Sequence, residues 1–270
     1  MHLNGTAPAA QRSEVVLRPQ PRPGALVRLV CIPYAGGSSV IYHPWLRLLP
    51  AAIELNALQL AGRGHRVGQP AHQRLDSLVR ELTQAVAPCL DRPFVLFGHS
   101  LGALVSFELA RTLRRCFCLT PVLLAVSGYR APHLAPRRPP IHQLPQQRFW
   151  DEIRRLHGTP AEVLADPQLT TLVEPALRAD LAVVETYEHE REVPLECPIA
   201  AFGGREDAEV PVEDLEAWTE HTDAGFSLST FEGGHFFLHS EQRGVVRELL
   251  GALSPLLNVP LRAEQMEVVR

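Results

Sequence analysis

The stretch Phe94-Val-Leu-Phe-Gly98-His99-Ser100-Leu101-Gly102-Ala-Leu-Val-Ser-Phe107 decides how this chain folds. It opens on four apolar residues in a row, the pattern of a strand buried on both faces. Leu101, Leu104, Val105, Phe107, Leu109 and Leu113 then mark a helix that is apolar nearly all round, and so also buried. Between them lies Gly98-His99-Ser100-Leu101-Gly102, a Gly-x-Ser-x-Gly turn. A strand can run this sharply into a helix only where no side chain crowds the backbone, so glycines flank the serine. The turn forces Ser100 into a strained conformation with its hydroxyl exposed. The helix N-terminus aims free amides and the positive dipole end at it. A capping serine in a plain turn would carry the same letters, but would not need this strand and this helix around it.

Upstream, residues 25–32 read as a strand that stops at Pro33-Tyr34-Ala35-Gly36-Gly37-Ser38-Ser39. Residues 42–49 read as a short helix and 53–60 as a second strand. Leu75, Leu78, Val79, Leu82 and Val86 recur at three and four, a helix with one apolar stripe. Downstream, 121–127, 199–202 and 226–231 are strands, with helices over 212–221 and 241–250. Such alternation predicts an α/β fold, a mostly parallel sheet with helices on both faces. It breaks between Ala131 and Pro194, a stretch with eight prolines up to Pro175 and no strand signal. Two amphipathic patterns stand there, Phe149-Trp150-Ile153-Leu156 and Leu177-Leu181-Val184-Tyr187, and together they read as an inserted helical lid over about 131–194. Residues 1–24 read as a loose leader, 25–256 as the domain, and 257–270 as a tail.

Composition narrows the chemistry. The chain of 270 residues has 26 basic side chains, and every one is arginine. Without lysine there is no Schiff base, no lysine general base and no Walker-type phosphate loop. Base catalysis therefore falls to the 12 histidines or to carboxylates. A net charge of −4 argues against a nucleic-acid partner, and no apolar run of about 18 residues is there to span a membrane. The polar Met1–Gln20 lacks the apolar core of a secretory signal. Five scattered cysteines read as reduced structural thiols in a cytoplasmic protein. Cys116-Phe-Cys118 has no second Cys or His pair at ligand spacing, so no metal is expected.

A serine hydroxyl is a poor nucleophile until a base takes its proton, and the base needs an acid to orient it. On an α/β-hydrolase sheet the chain order is Ser, then Asp or Glu, then His. Here it runs Ser100, Asp207, His235. Asp207 closes Phe202-Gly-Gly-Arg-Glu-Asp207 and His235 stands in Phe231-Glu-Gly-Gly-His235, each just past a strand, where parallel sheets build their sites. Glu206 and Asp214 rival Asp207; Asp214 is expected to face solvent on a helix, while Glu206 stays open. His99 is expected to orient or pack, and His239 to fall on the approach to the last helix. Other histidines, among them His43, His65, His72, His133, His142 and His157, read as solvated or structural. For the oxyanion, the expected donors are the backbone N–H of Leu101 and, from the glycine-rich loop, that of Ala35. The glycine spacing there fits no nucleotide fingerprint.

Five stretches together resemble the type II thioesterases, stand-alone α/β-hydrolases that accompany non-ribosomal peptide and polyketide synthases. They are Cys31-Ile-Pro-Tyr-Ala-Gly-Gly-Ser-Ser39, Leu58-Gln-Leu-Ala-Gly-Arg-Gly-His-Arg66, Phe97-Gly-His-Ser-Leu-Gly-Ala103, Phe202-Gly-Gly-Arg-Glu-Asp207 and Phe231-Glu-Gly-Gly-His-Phe-Phe-Leu238. The resemblance covers about 26–252. It departs at Ala61, where the family usually has proline, and at Gly64-His65, where an acidic residue is frequent. It implies hydrolysis of an acyl or aminoacyl thioester on the phosphopantetheine arm of a carrier protein, with no cofactor, by a monomer. The lid would then line an acyl pocket. Six arginines between Arg130 and Pro160 face two acids, whereas 161–192 holds eight acids and two arginines. Carriers are typically acidic, so the first half of the lid is one candidate docking face, with a solvated charged surface as the plainer reading. The rival functions are a carboxylesterase or lipase with the same triad, and a non-catalytic scaffold on the same fold.

Overall fold

In the computed structural model, which describes residues 14–156, 158–159 and 161–257, the stretch from Phe94 folds as expected. Strand β4 (Phe94–His99) passes through Ser100 into helix α2 (Leu101–Phe117). Around β4 stand β1 (Val16–Leu17), β2 (Val27–Ile32), β3 (Ile53–Leu58), β5 (Leu123–Ser127), β6 (Ile199–Gly204) and β7 (Phe226–Phe231). They form one sheet in the order β1-β3-β2-β4-β5-β6-β7. Only the β1–β3 pairing is antiparallel. Strand β3 lies on one side of β2 and β4 on the other, so the chain reverses its direction of travel between β2 and β4. That switch point is where an open parallel sheet leaves a crevice beyond its strand ends.

The period of two divides each strand between two cores. Val30, Ile32, Phe94 and Leu96 pack on one face with α1 (Leu75–Val86) and α2. Val27, Leu29, Cys31, Val95 and Phe97 pack on the other with Trp45 and with the last helix, Gln242–Leu257. The short helix expected over 42–49 is a 3-10 helix, Ser39–Arg47, with Pro44 inside it. The strand expected to reach residue 60 ends at Leu58, and the Gln59 side chain that follows turns into the loops and accepts from Ser39 Oγ at 2.8 Å. The last helix runs further than expected, to Leu257.

The leader expected to be loose is anchored from Glu14 onward. Val16 and Leu17 pair with Leu58 and Ala57. The Arg22 guanidinium donates to the carbonyls of Leu46, Leu49, Pro50 and Ile53 at 2.6–3.1 Å. A planar fork with five N–H groups can serve several carbonyls at once, a role invisible in a polar sequence. Residues 1–13 and 258–270, the outer parts of the expected leader and tail, lie outside the described residues.

Between β5 and β6 the chain inserts α3 (Gln146–Arg155), α4 (Ala161–Ala165) and α5 (Pro167–Glu185). Asp166 caps α5, accepting from the N–H groups of Gln168 and Leu169, with Pro167 in the first turn. Ile141, Phe149, Trp150, Ile153 and Leu177 form a small core of their own. The Arg178 guanidinium lies 3.9 Å above the Phe149 ring. Among the five cysteines, Cys31 and Cys197 are buried as structural thiols should be, whereas Cys116 and Cys118 are exposed.

Candidate active site

Ser100 has φ 53 and ψ −119, a left-handed value that L residues avoid, and stands between the end of β4 and the start of α2. Its N–H donates to the Ser127 carbonyl at 2.7 Å, and its own carbonyl accepts from Ala103 N–H at 2.9 Å. The flanking glycines are dictated by contact distance. A Cβ on Gly98 would lie 1.9 Å from the Gly102 carbonyl oxygen, and one on Gly102 would lie 2.2 Å from the Ile32 carbonyl oxygen. Leu101 opens α2, so its N–H has no intrahelical acceptor.

The structure brings Asp207 and His235 together. Asp207 is buried and its Oδ2 lies 2.8 Å from His235 Nδ1. Its Oδ1 accepts from the N–H groups of Glu209 at 2.8 Å and Val210 at 3.2 Å, so the carboxylate is held on both oxygens. A carboxylate on Nδ1 fixes the tautomer that leaves Nε2 free as a base. Glu206, left open by the sequence, is exposed, and only its backbone is engaged, N–H to the Gly233 carbonyl at 3.0 Å. Asp214 departs from expectation. It is buried on α6 (Val212–Glu216) and takes both Arg137 Nε and Nη2 at 2.6 Å, tying the start of the lid to the domain.

Ser100, His235 and Ala35 line one cavity of about 210 Å³ beneath the lid. Its wall is largely apolar, with Leu177, Leu181 and Val184 of α5 and Ile153 of α3. Leu101 is buried at the same turn.

Three further residues stand beside the site, and of these only His99 had an expected part, to orient or pack. His99 is fully buried, with Nδ1 2.8 Å from Ser127 Oγ and its ring 5.3 Å from that of His235. Burial, reinforced by His235 and His239, drives its pKa well below the ordinary histidine value, so a neutral imidazole stands behind His235. Tyr34 Oη lies 2.8 Å from His239 Nε2, and the Tyr34 ring packs edge-on against Phe236 at 5.1 Å. An aromatic residue inside a glycine-rich loop was the available signal for Tyr34. Nothing in the sequence marked Asp180, whose Oδ2 accepts the Gly36 N–H at 2.7 Å.

The positive half of the lid is less free than its composition suggests. Arg137 and Arg138 pair with Asp214 and Glu209, and Arg154 and Arg155 with Asp151 and Glu152. Arg130 lies over the Tyr129 ring and lines the cavity.

Residues 27–253 match the thioesterase domain family. The chain is 40% identical over 248 residues to linear gramicidin dehydrogenase LgrE of Brevibacillus parabrevis, covering 91% of this chain and 94% of that protein. It is 38% identical over 235 residues to thioesterase PikA5 of Streptomyces venezuelae, covering 87% and 83%. Among solved structures, the type II thioesterase BorB from the borrelidin biosynthetic cluster superposes with a TM-score of 0.82 at 34% identity, covering 88% and 97%.

Proposed function

The chain belongs to the thioesterase domain family, and from that premise we propose that it is a stand-alone thioesterase of non-ribosomal peptide or polyketide synthesis. Its substrates are acyl or aminoacyl groups held as thioesters on the phosphopantetheine arm of carrier proteins. The observation that carries this reading is the Asp207–His235 bond, with His235 and the strained Ser100 facing one apolar cavity at the strand ends.

His235 Nε2 takes the Ser100 proton while Asp207 holds the ring and stabilises the imidazolium. Ser100 Oγ attacks the thioester carbonyl. The N–H groups of Leu101 and Ala35 receive the oxyanion. The C–S bond breaks, the pantetheine thiol leaves with the proton from His235, and water repeats the path on the acyl-serine. The lid wall of Leu177, Leu181 and Val184 takes the acyl group. One relative carries the name of a dehydrogenase. In this chain the Gly36 N–H of the glycine-rich loop donates to the Asp180 carboxylate at 2.7 Å, so that amide is already taken and is not free to hold the pyrophosphate of a dinucleotide.

The partner class is an acidic carrier; on the lid, Arg137, Arg138, Arg154 and Arg155 each stand in an ion pair with a neighbouring carboxylate. Among the described residues no helix is long and apolar enough to cross a membrane. The test is to incubate the protein with carrier loaded with several acyl groups and follow their release by intact-protein mass. Release by the wild type and none by Ser100→Ala is the expected result. Faster turnover of oxygen esters than of carrier thioesters would overturn the reading in favour of a carboxylesterase.

A further inference from the structure

The segment Leu60-Ala-Gly-Arg-Gly-His-Arg66 is among the most distinctive in the sequence, yet it has no part in the chemistry above. Its turn is built by Gly62 at φ +80 and Gly64 at φ +56, both left-handed values that favour glycine. The two arginines it presents point at different elements. Arg66 is buried, pairs with Glu81 of α1 and donates to the Gln59 carbonyl at 2.9 Å. Arg63 reaches α5 in the lid. Its Nη2 donates to Asp180 Oδ1 at 2.7 Å and its Nη1 to Asp180 Oδ2. Asp180 is 2% exposed.

This pair closes on the glycine-rich loop. Asp180 Oδ2 accepts the Gly36 N–H at 2.7 Å, and Arg63 Nη1 donates to the Gly37 carbonyl at 3.3 Å. Gly37 N–H in turn donates to the Tyr34 carbonyl at 2.9 Å. That carbonyl belongs to the same rigid peptide unit as the Ala35 N–H, so its direction fixes the direction of the amide. Helix α5 sits hard against the loop, since a Cβ on Gly36 would lie 3.1 Å from Leu177 Cδ1.

We infer that the Arg63–Asp180 pair is a positioning device for the oxyanion loop, which aims the Ala35 N–H at the reacting carbonyl and fastens lid helix α5 to that loop. The inference rests on the proposed thioester hydrolysis. A buried ion pair is a poor way to gain stability, because apolar residues of similar volume serve as well or better. A bidentate arginine–carboxylate pair does fix angle as well as distance, and oxyanion donors work only when preorganised to within a fraction of an ångström. Two consecutive glycines, Gly36 and Gly37, leave this loop free to move unless something outside it holds it. The same helix presents Leu177, Leu181 and Val184 to the cavity, so an acyl group pressing on α5 acts on the oxyanion loop through one carboxylate.

The deciding comparison is between two double variants and one single variant. Arg63→Met/Asp180→Leu removes both charges and the Gly36 acceptor. Arg63→Gln/Asp180→Asn also removes both charges but keeps an acceptor for Gly36. Arg63→Lys keeps the charge and loses the fork. Each is read by thermal unfolding, by kcat and KM on an acyl-pantetheine thioester, and by the rate at which a fluorophosphonate labels Ser100. The Met/Leu variant is expected to fold and to lose about 100-fold in kcat, the scale of one oxyanion donor, with KM changed by less than about threefold. Labelling should slow in parallel, the Gln/Asn variant should recover most of the loss, and Arg63→Lys should fall between them. Wild-type kcat in a folded Met/Leu variant, or in Arg63→Lys, would overturn the inference, as would a loss confined to KM. Should the wild type label with fluorophosphonate yet cleave no thioester, the functional proposal fails, and the labelling rates still decide the role of the pair.

Discussion

Asp207 and Glu206 are adjacent in sequence, both acidic and both just past β6, so covalent position cannot choose between them. Geometry separates them sharply: one carboxylate is buried on His235 Nδ1 and the other is exposed. Asp207→Asn should keep the fold and lower kcat by about 10⁴, because an amide favours the wrong imidazole tautomer. Glu206→Gln should leave steady-state hydrolysis of an acyl-pantetheine thioester unchanged. Equal losses in the two variants would contradict the assignment. Gly102 is constrained by packing alone. Its missing Cβ would meet the Ile32 carbonyl oxygen at 2.2 Å, backbone against backbone with nothing flexible to yield. Gly102→Ala should cost about 3 kcal/mol or more in chemical unfolding, and wild-type stability would refute the close approach.

At the scale of elements, the lid carries two kinds of residue that composition could not tell apart. Phe149 and Trp150 are buried in the lid's own core, whereas Leu181 and Val184 of α5, with Ile153 of α3, line the cavity. Enlarging a wall residue should therefore act on substrate length before it acts on stability. Leu181→Phe is expected to lower kcat/KM for an octanoyl thioester by about tenfold more than for an acetyl thioester, with the unfolding midpoint nearly unchanged. A uniform loss across chain lengths would place the acyl group elsewhere. The amphipathic pattern marked these helices correctly. It could not say which side of the apolar stripe met protein and which met substrate, because both are apolar surroundings.

For the whole molecule, the pH response follows from histidines that the fold keeps neutral. Burial pushes His221 down to about 4, helped by His133, His189 and Arg111 nearby, and drives His99 well below its ordinary value. The unfolded chain takes up these protons near pH 6.5, whereas the native chain refuses them, so stability falls as pH drops from about 6.5 towards 4. Each fully excluded proton contributes a slope of about 1.4 kcal/mol per pH unit. Glu81, lowered to about 2 through His72 and Arg66, adds a second loss between about 4.5 and 2. Thermal unfolding followed from pH 7 to pH 4 should show a falling midpoint, with a shallower slope in His221→Asn. A flat profile would mean that these histidines are protonated in the folded protein.

The alternation of strands and helices, the elbow at Ser100, the order Ser100, Asp207, His235 and the place of the lid are legible without a structure. Those features rest on periodicity, on glycine where backbones touch, and on chain order, all of which are local and written in the residues. Folding in three dimensions selects Asp207 over Glu206 as the partner of His235, buries Asp214 on Arg137 and anchors the chain from Glu14 onward. It alone joined Arg63 to an aspartate 117 residues away. Such partners are chosen by which surfaces close packing brings within about 3 Å, and no spacing along the chain encodes that distance.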